Sequence, residues 1–296
     1  MINTNDVSII ICANDSYYWT KMAIDTFKYM NPKFKDNIIL FSDNWNMSKY
    51  FSRNVNQIIT WKTQTRPEDM LERVGKMYQE CAKQINTKYI CFIDNDTISI
   101  SENWLEMFLN EMIDSNSKIN SAVSKVYKDV DYTQRTKTPL FPQYKEANTT
   151  SDEIKRLHYY CIVLDNEYFK TNWNINGYLG NEQNYTNNGV VDIGTEFYYF
   201  CKQNNIKIIE KDSFDIQHNF LLHVIPNPNN ELSEFYSYKI LDNGTVVRRS
   251  DKEYISDLLN RENFKKAIDV CEKTGNNFLK EYQKILDKKD IDLKIY

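Results

Sequence analysis

No run of apolar residues in this sequence approaches the ~20 that a membrane-crossing helix needs, which excludes an α-helical membrane protein. The opening stretch from Met1 to Asp6 is polar and leads straight into an apolar run, so no leader peptide is expected and a cytoplasmic location is. None of the six cysteines forms a CxxC pair, which argues against a zinc cluster built from closely spaced thiolates. Cys12, Cys91 and Cys161 sit inside apolar, strand-like runs and are expected to be buried, reduced thiols. Positive charge is not in excess. The chain has 37 Lys and Arg against 41 Asp and Glu, net −4, which disfavours a protein that coats nucleic acid through a basic face. A nucleic-acid substrate held in a local groove stays open. There is no internal repeat. Glycine is rare, 7 residues in all, a scarcity that matters again below.

What is present is a core and a rhythm. Hydrophobic residues make up 41% of 296 positions, enough for one large α/β domain with an appendage. Val7-Ser-Ile-Ile-Ile-Cys-Ala13 reads as a strand covered on both faces, as in a parallel sheet. Residues 18–29 follow with helical spacing (Met22, Ile24, Phe27) and stop at Asn31-Pro32. Further strands are expected at 37–41, 58–61 and 89–93. A helix is expected over 67–84, with Pro67 in its opening turn. Another covers 102–112, with Ser101 as its N-cap. Strands alternating with helices predict a doubly wound, mostly parallel sheet flanked by helices. Ligands bind such sheets at the carboxyl ends of the strands. That rule brings Asn14 and Asp15, Asp43, and Asp94 and Asp96 to one edge.

The second half is less regular. Strands are expected at 121–127, 158–164 and 206–209, and helices at 166–171 and 192–204. Residues 129–151 take no assignment, and 173–188 read as a loop. Beyond Pro226-Asn-Pro228 the composition shifts, and 251–291 read as helical. The expected organisation is therefore an α/β domain at 1–225 and a helical extension at 226–296. The apolar positions of that extension, among them Phe264, Ile268, Phe278 and Tyr282, suit packing on the core or a homodimer contact.

The sharpest chemical signal is Phe92-Ile-Asp-Asn-Asp-Thr-Ile98. Two aspartates one residue apart at a strand's end can bring one carboxylate to a divalent cation. The other can reach the ribose or a metal-bound water. A bare Asp-x-Asp is common by chance; the preceding helix and apolar strand make this one more specific. The competing account is a strand-to-helix turn using carboxylates as turn formers.

On these residues the chain resembles the GT-A glycosyltransferases, nearest to the family 2 group and related bacterial or viral enzymes. The likeness covers about residues 7–225. It implies a GT-A, Rossmann-like sheet and a nucleotide-sugar donor, with UDP-sugars favoured. Ser-Ile-Ile-Ile-Cys-Ala13-Asn-Asp15 resembles the first strand, which enters the nucleotide pocket. Ile38-Ile-Leu-Phe-Ser-Asp43 resembles the strand whose Asp contacts the base. Arg73-Val-Gly75-Lys76 resembles the segment approaching the donor diphosphate. Asp94, Asn95 and Asp96 then form the donor and metal site, with Mn²⁺ or Mg²⁺ as cofactor.

Val191-Asp192-Ile-Gly194-Thr-Glu196 resembles the acceptor side. There Asp192 would be the general base, with Glu196 in reserve, if the enzyme inverts. Phe214-Asp-Ile-Gln-His218 resembles the late strand whose His completes the metal shell. His218 fits that pattern best, and His223 competes with it. The chain departs from the family where Asn219-Phe-Leu-Leu-His223 replaces the small residues that often follow the His. His158, inside an apolar run, is expected to be structural. Tyr17, Tyr18, Trp173, Tyr178 and Tyr185 offer faces on which sugars or bases can stack.

Two other readings stand beside sugar transfer to an unidentified acceptor hydroxyl. A nucleotidyltransferase would place a glycine-rich loop after the first strand to cradle a triphosphate. Here that position holds Ala13-Asn-Asp-Ser-Tyr-Tyr, without a glycine. A catalytically silent binding module would not need Asp94, Asp96, Asp192 and His218 together.

Overall fold

The computed structural model describes residues 2–13, 16–42, 44–60, 78, 80–127, 153–172, 194–224, 238–240, 246–248 and 259–287. It is an α/β fold around a seven-stranded sheet in the order β3-β2-β1-β4-β7-β6-β8. The strands are β1 (Val7–Cys12), β2 (Ile38–Ser42), β3 (Gln57–Thr60), β4 (Tyr89–Asp94), β6 (Ile119–Tyr127), β7 (Glu153–Asp165) and β8 (Ile208–Asp212). β3, β2, β1 and β4 run parallel, β7 is antiparallel to both neighbours, and β8 runs parallel to β6. Every residue of β1 and β2 is buried, as expected of strands covered on both faces. Alternate side chains feed two apolar layers, one with Ile9, Ile11, Cys91 and Ile93, the other with Ile10, Phe41, Ile90 and Phe92. All six cysteines are buried and unpaired.

The helices are α1 (Tyr17–Met30), α2 (Trp45–Phe51), α3 (Trp104–Ser115), α4 (Asn166–Asn172), α5 (Thr195–Gln203) and α6 (Ser213–Asn219), followed by α7 (Glu262–Lys273) and α8 (Phe278–Asp287). Of the helix expected over 67–84, Tyr78 and residues 80–84 are helical. The rest of it, with Arg73 and Lys76, lies outside the described residues, as do Asp15, Asp43, Asp192 and the loop expected at 173–188.

Three local expectations differ from the structure. Ser101 does not cap α3. Asn103 takes the N-cap position in a left-handed conformation (φ 54°) without a side-chain cap bond. The buried Asn31 supplies the acceptor instead, its Oδ1 3.1 Å from the Leu105 amide. The segment around Phe214–His218 is not a strand but the helix α6. Its alternating pattern misleads, because Ile216 enters the core and the partly buried Phe220 packs against that same cluster at i+4. Finally, the part of 226–296 that is described holds a hairpin, β10 (Tyr238–Ile240) with β11 (Val246–Arg248), as well as helices.

A second, small sheet pairs β5 (Thr97–Ser99) with β9 (Leu221–His223). The C-terminal helices pack on it. Phe264, Ala267, Cys271, Phe278, Tyr282 and Leu286 from α7 and α8 join Ile98, Ile100, Leu222 and Val224 and the α1 residues Trp19 and Met22 in one cluster. Trp19 meets Phe278 edge-on at 5.8 Å, and Phe264 meets Phe278 at 5.1 Å. These six side chains of the two helices are thus buried within the chain. They brace the two strands that flank the Asp94–Asp96 turn.

Two features on the far side of the sheet give stability predictions. Gly194, just before α5, has φ +90°, and a Cβ there would sit 2.1 Å from the Leu157 carbonyl oxygen. Gly194→Ala is expected to cost at least about 2 kcal/mol, the left-handed backbone alone accounting for roughly 1–2. Urea unfolding checks this, and an unchanged midpoint would contradict it.

Glu210 on β8 accepts from Lys155 at 2.9 Å and from the Tyr198 hydroxyl at 2.9 Å, and pairs with Lys202 at 2.6 Å. Burial pushes its pKa up, but the hydrogen bonds from Lys202, Lys155 and Tyr198 outweigh that and hold it at about 2. A depressed carboxylate stabilises the fold above its unfolded pKa and loses that contribution as pH falls toward the folded one. Glu210→Gln should therefore cost about 1–2 kcal/mol near neutrality. The gap to wild type should narrow as pH is lowered from about 5 toward 2. Denaturation of both proteins at the two extremes reads the difference.

Candidate metal and donor site

The site forms where β4 ends. Cys12 of β1 pairs with Asp94 of β4, and Phe41 of β2 with Cys12, so three strand ends share one edge. The chain turns at Asn95 and Asp96 and enters β5. β9 pairs antiparallel with β5, placing His223 opposite Thr97. The Val224 amide donates to the Asp96 carbonyl at 2.8 Å, which closes the turn against β9.

This pairing brings an imidazole to the two carboxylates. His223 Nε2 lies 3.2 Å from Asp96 Oδ1 and 3.7 Å from Asp94 Oδ2. One donor atom from each of the three residues falls within 4.8 Å of the others, and among the described residues no other such group of three or more His, Cys, Asp or Glu occurs. His218 is not part of it; it stands in the last turn of α6. The histidine at the aspartates is therefore His223, the competitor, and not the expected His218, because strand pairing with β5 fixes residue 223 and not 218 across the turn.

The electrostatics fit the geometry. Burial raises the pKa of Asp94 and Asp96 adds to this, while His223, the Tyr78 hydrogen bond and Arg156 pull it down; the net direction is up. For His223, burial favours the neutral ring, but Asp96 and Asp94 outweigh it and the pKa is raised. His158 behaves oppositely. Burial, Arg156 and His223 all push its pKa well down, leaving a neutral ring.

Two tyrosines contact this cluster from different sides. The Tyr78 hydroxyl donates to Asp94 Oδ1. Tyr160 stacks on the His223 ring, centroids 4.7 Å apart and planes within 16°, and its hydroxyl lies 2.7 Å from Ser213 Oγ. A bulge in β7 aims Tyr160. Pairing with β6 jumps from Ser121↔Ile162 to Val123↔Leu157, leaving residues 158–161 opposite Ala122 alone.

Other expected residues are placed as follows. Ala13 is buried at the end of β1 and donates its amide to the Phe41 carbonyl at 2.9 Å. The Asn95 side chain donates through Nδ2 to Thr20 Oγ1 of α1 at 3.2 Å, which ties the turn to that helix. Glu196 lies in the first turn of α5. Sequence reasoning missed Tyr78 and Tyr160 as parts of the site. Nothing local marks them, since each reaches the site through a contact between distant segments.

The donor set suits a divalent ion. A cation with bonds of about 2.1 Å holds adjacent ligands about 3 Å apart, close to the separations from His223 to the two aspartates. Two carboxylates with one imidazole form a mixed oxygen and nitrogen set of the kind first-row divalent ions accept.

No protein-family model matches the chain, and no curated protein matches it. Solved structures do. A mannosyltransferase, PcManGT from Pyrobaculum calidifontis in complex with GDP-Man and Mn²⁺, aligns at 10% identity and a TM-score of 0.44, over 70% of this chain and 55% of its own. GalNAc-T7 with UDP, GalNAc and Mn²⁺ aligns at 12% identity and a TM-score of 0.45, over 69% of this chain and 42% of its own. The 4-diphosphocytidyl-2C-methyl-D-erythritol synthase of Anaerococcus prevotii aligns at 14% identity and a TM-score of 0.42, over 71% of this chain and 90% of its own. The chain spans about half the length of the two sugar transferases.

Proposed function

We propose that this chain is a metal-dependent glycosyltransferase of the GT-A type, moving a sugar from a nucleotide-sugar donor, with UDP-sugars favoured, to an acceptor hydroxyl. The observation that carries the reading is the convergence of Asp94, Asp96 and His223 at the carboxyl edge of a mostly parallel sheet. Asp96, His223 and one oxygen of Asp94 would hold Mn²⁺ or Mg²⁺. The ion would supply neutralising charge for the leaving diphosphate.

The remaining roles belong to the chain. Asp94 also contacts the donor ribose beside Asn95. Asp15 and Ala13 line the nucleotide pocket, Asp43 contacts the base, and Arg73 and Lys76 approach the diphosphate. If the enzyme inverts, Asp192 takes the proton from the acceptor hydroxyl as it attacks, with Glu196 in reserve. A carboxylate suits that task when it stands within hydrogen-bond reach of the hydroxyl and is sheltered from water. These assignments follow the resemblance of the segments that carry them.

The test is hydrolysis of a panel of nucleotide-sugars with Mn²⁺, with nucleoside triphosphates as a second panel. Slow, metal-dependent cleavage of one nucleotide-sugar supports the reading and names the donor. Pyrophosphate release from a triphosphate would instead move the chain to nucleotidyl transfer, and no cleavage of either panel would favour a silent binding module.

A further inference from the structure

Asp94 offers two oxygens, and the structure gives them different surroundings. Oδ2 faces the cluster, 3.7 Å from His223 Nε2. Oδ1 accepts the Tyr78 hydroxyl. A phenol has one proton to donate. Its ring cannot easily turn away: Tyr78 is 2% exposed, stacked on Tyr159 at 4.5 Å and set edge-on to Phe92 at 5.0 Å. Phe92 belongs to the same strand as Asp94, so ring and carboxylate are held to one frame.

Phenylalanine would fill the same space. The hydroxyl is the part that reaches the carboxylate. We infer that Tyr78 is a positioning residue: its hydrogen bond to Oδ1 fixes the rotation of the Asp94 carboxylate with Oδ2 toward the cluster, so that Asp94 serves as a one-oxygen ligand and the site is tuned to a small octahedral cation. This inference rests on the reading of Asp94, Asp96 and His223 as a metal site. The chemistry behind it is the difference between cations. Mg²⁺ and ions of similar size demand near-octahedral geometry at short bonds, whereas Ca²⁺ takes 6–8 oxygens at longer ones and accepts two-oxygen carboxylates. Freed from Tyr78, Asp94 could swing to present both oxygens. Partners of this kind, one shell outside the ligands, are worth about 10–100-fold in metal affinity.

The experiment measures Mn²⁺ and Ca²⁺ affinities of the full chain, by the paramagnetic resonance of free Mn²⁺ and by Ca²⁺ competition. Four proteins are compared: wild type, Tyr78→Phe, Asp96→Ala and Tyr198→Phe. The last loses a phenol–carboxylate bond of the same kind from the same core layer, but to Glu210 of β8, which is not among the three clustered residues. Tyr78→Phe is expected to weaken Mn²⁺ about 10-fold and Ca²⁺ by less, narrowing the preference between them. Tyr198→Phe is expected to leave both affinities alone.

Unchanged Mn²⁺ affinity in Tyr78→Phe, with binding lost in Asp96→Ala, would overturn the positioning role and keep the metal site. Equal weakening of both cations, or the same loss in Tyr198→Phe, would also overturn it, since general loosening moves both cations together. Wild-type Mn²⁺ affinity in Asp96→Ala would instead sink the metal site itself. Should Tyr78→Phe not fold, the wild-type Mn²⁺ complex is crystallised instead: Asp94 ligating through Oδ2 alone with Tyr78 on Oδ1 supports the inference, and ligation through both oxygens would overturn it.

Discussion

Replacing Asp96 with alanine is expected to lower metal-dependent donor cleavage by about 10²–10³-fold, the loss typical when one preorganised electrostatic contact to developing charge is removed. The carboxylate stands 3.2 Å from His223 Nε2, and together with Asp94 it raises that ring's pKa against the opposing effect of burial. Without it the cluster keeps one carboxylate and an imidazole, too few ligands to retain a weakly held divalent ion at ordinary concentrations. The substitution should not unfold the protein. Asp96 lies in a turn, and the bond that closes the turn against β9 runs from the Val224 amide to its backbone carbonyl, which alanine keeps. Kinetics under excess Mn²⁺, set beside a thermal melt of the same preparation, measure both halves of this expectation.

The second large effect separates two histidines five positions apart. His223→Ala is expected to weaken Mn²⁺ binding by about 10–100-fold or more, since a direct ligand should cost no less than an outer-shell partner. His218→Ala should change Mn²⁺ affinity by less than about 2-fold, because its residue stands in α6 and outside the cluster. Proton competition adds a signature. A ring whose pKa is raised must give up its proton before it ligates, so Mn²⁺ affinity should fall as pH is lowered through that pKa. His223→Ala should flatten the dependence, and His218→Ala should preserve it. Reversal of the two phenotypes would restore the assignment that the sequence alone favours.

The placement of His223, and not His218, at the aspartates shows where the sequence stops being legible. β1, β2 and β4 were readable because continuous apolar runs suit strands buried on both faces, and the Asp94–Asp96 turn came with them. The pairing of β5 with β9 joins residues more than a hundred positions apart, and no local pattern reports it. Phe214, Ile216 and His218 alternate as a strand would, yet Ile216 and Phe220 meet the core at helical spacing, and tertiary burial decides.

α2 was overlooked although its signals were present. Asn44 caps it through Oδ1 to the Asn46 amide at 2.9 Å, and Met47 and Phe51 are buried one turn apart. The C-terminal helices were foreseen as helices. Their packing on the core was an expectation too, but that α1 and the small sheet receive them is visible only in three dimensions. They help to hold β5 and β9 in place and so belong to the site's support.

The most direct test of the account is anomalous diffraction at the manganese edge from crystals soaked with Mn²⁺ and UDP. The account predicts one strong peak among Asp94, Asp96 and His223, with the nucleotide's diphosphate beside it. A peak elsewhere, or a nucleotide bound with no metal at these three residues, would contradict it.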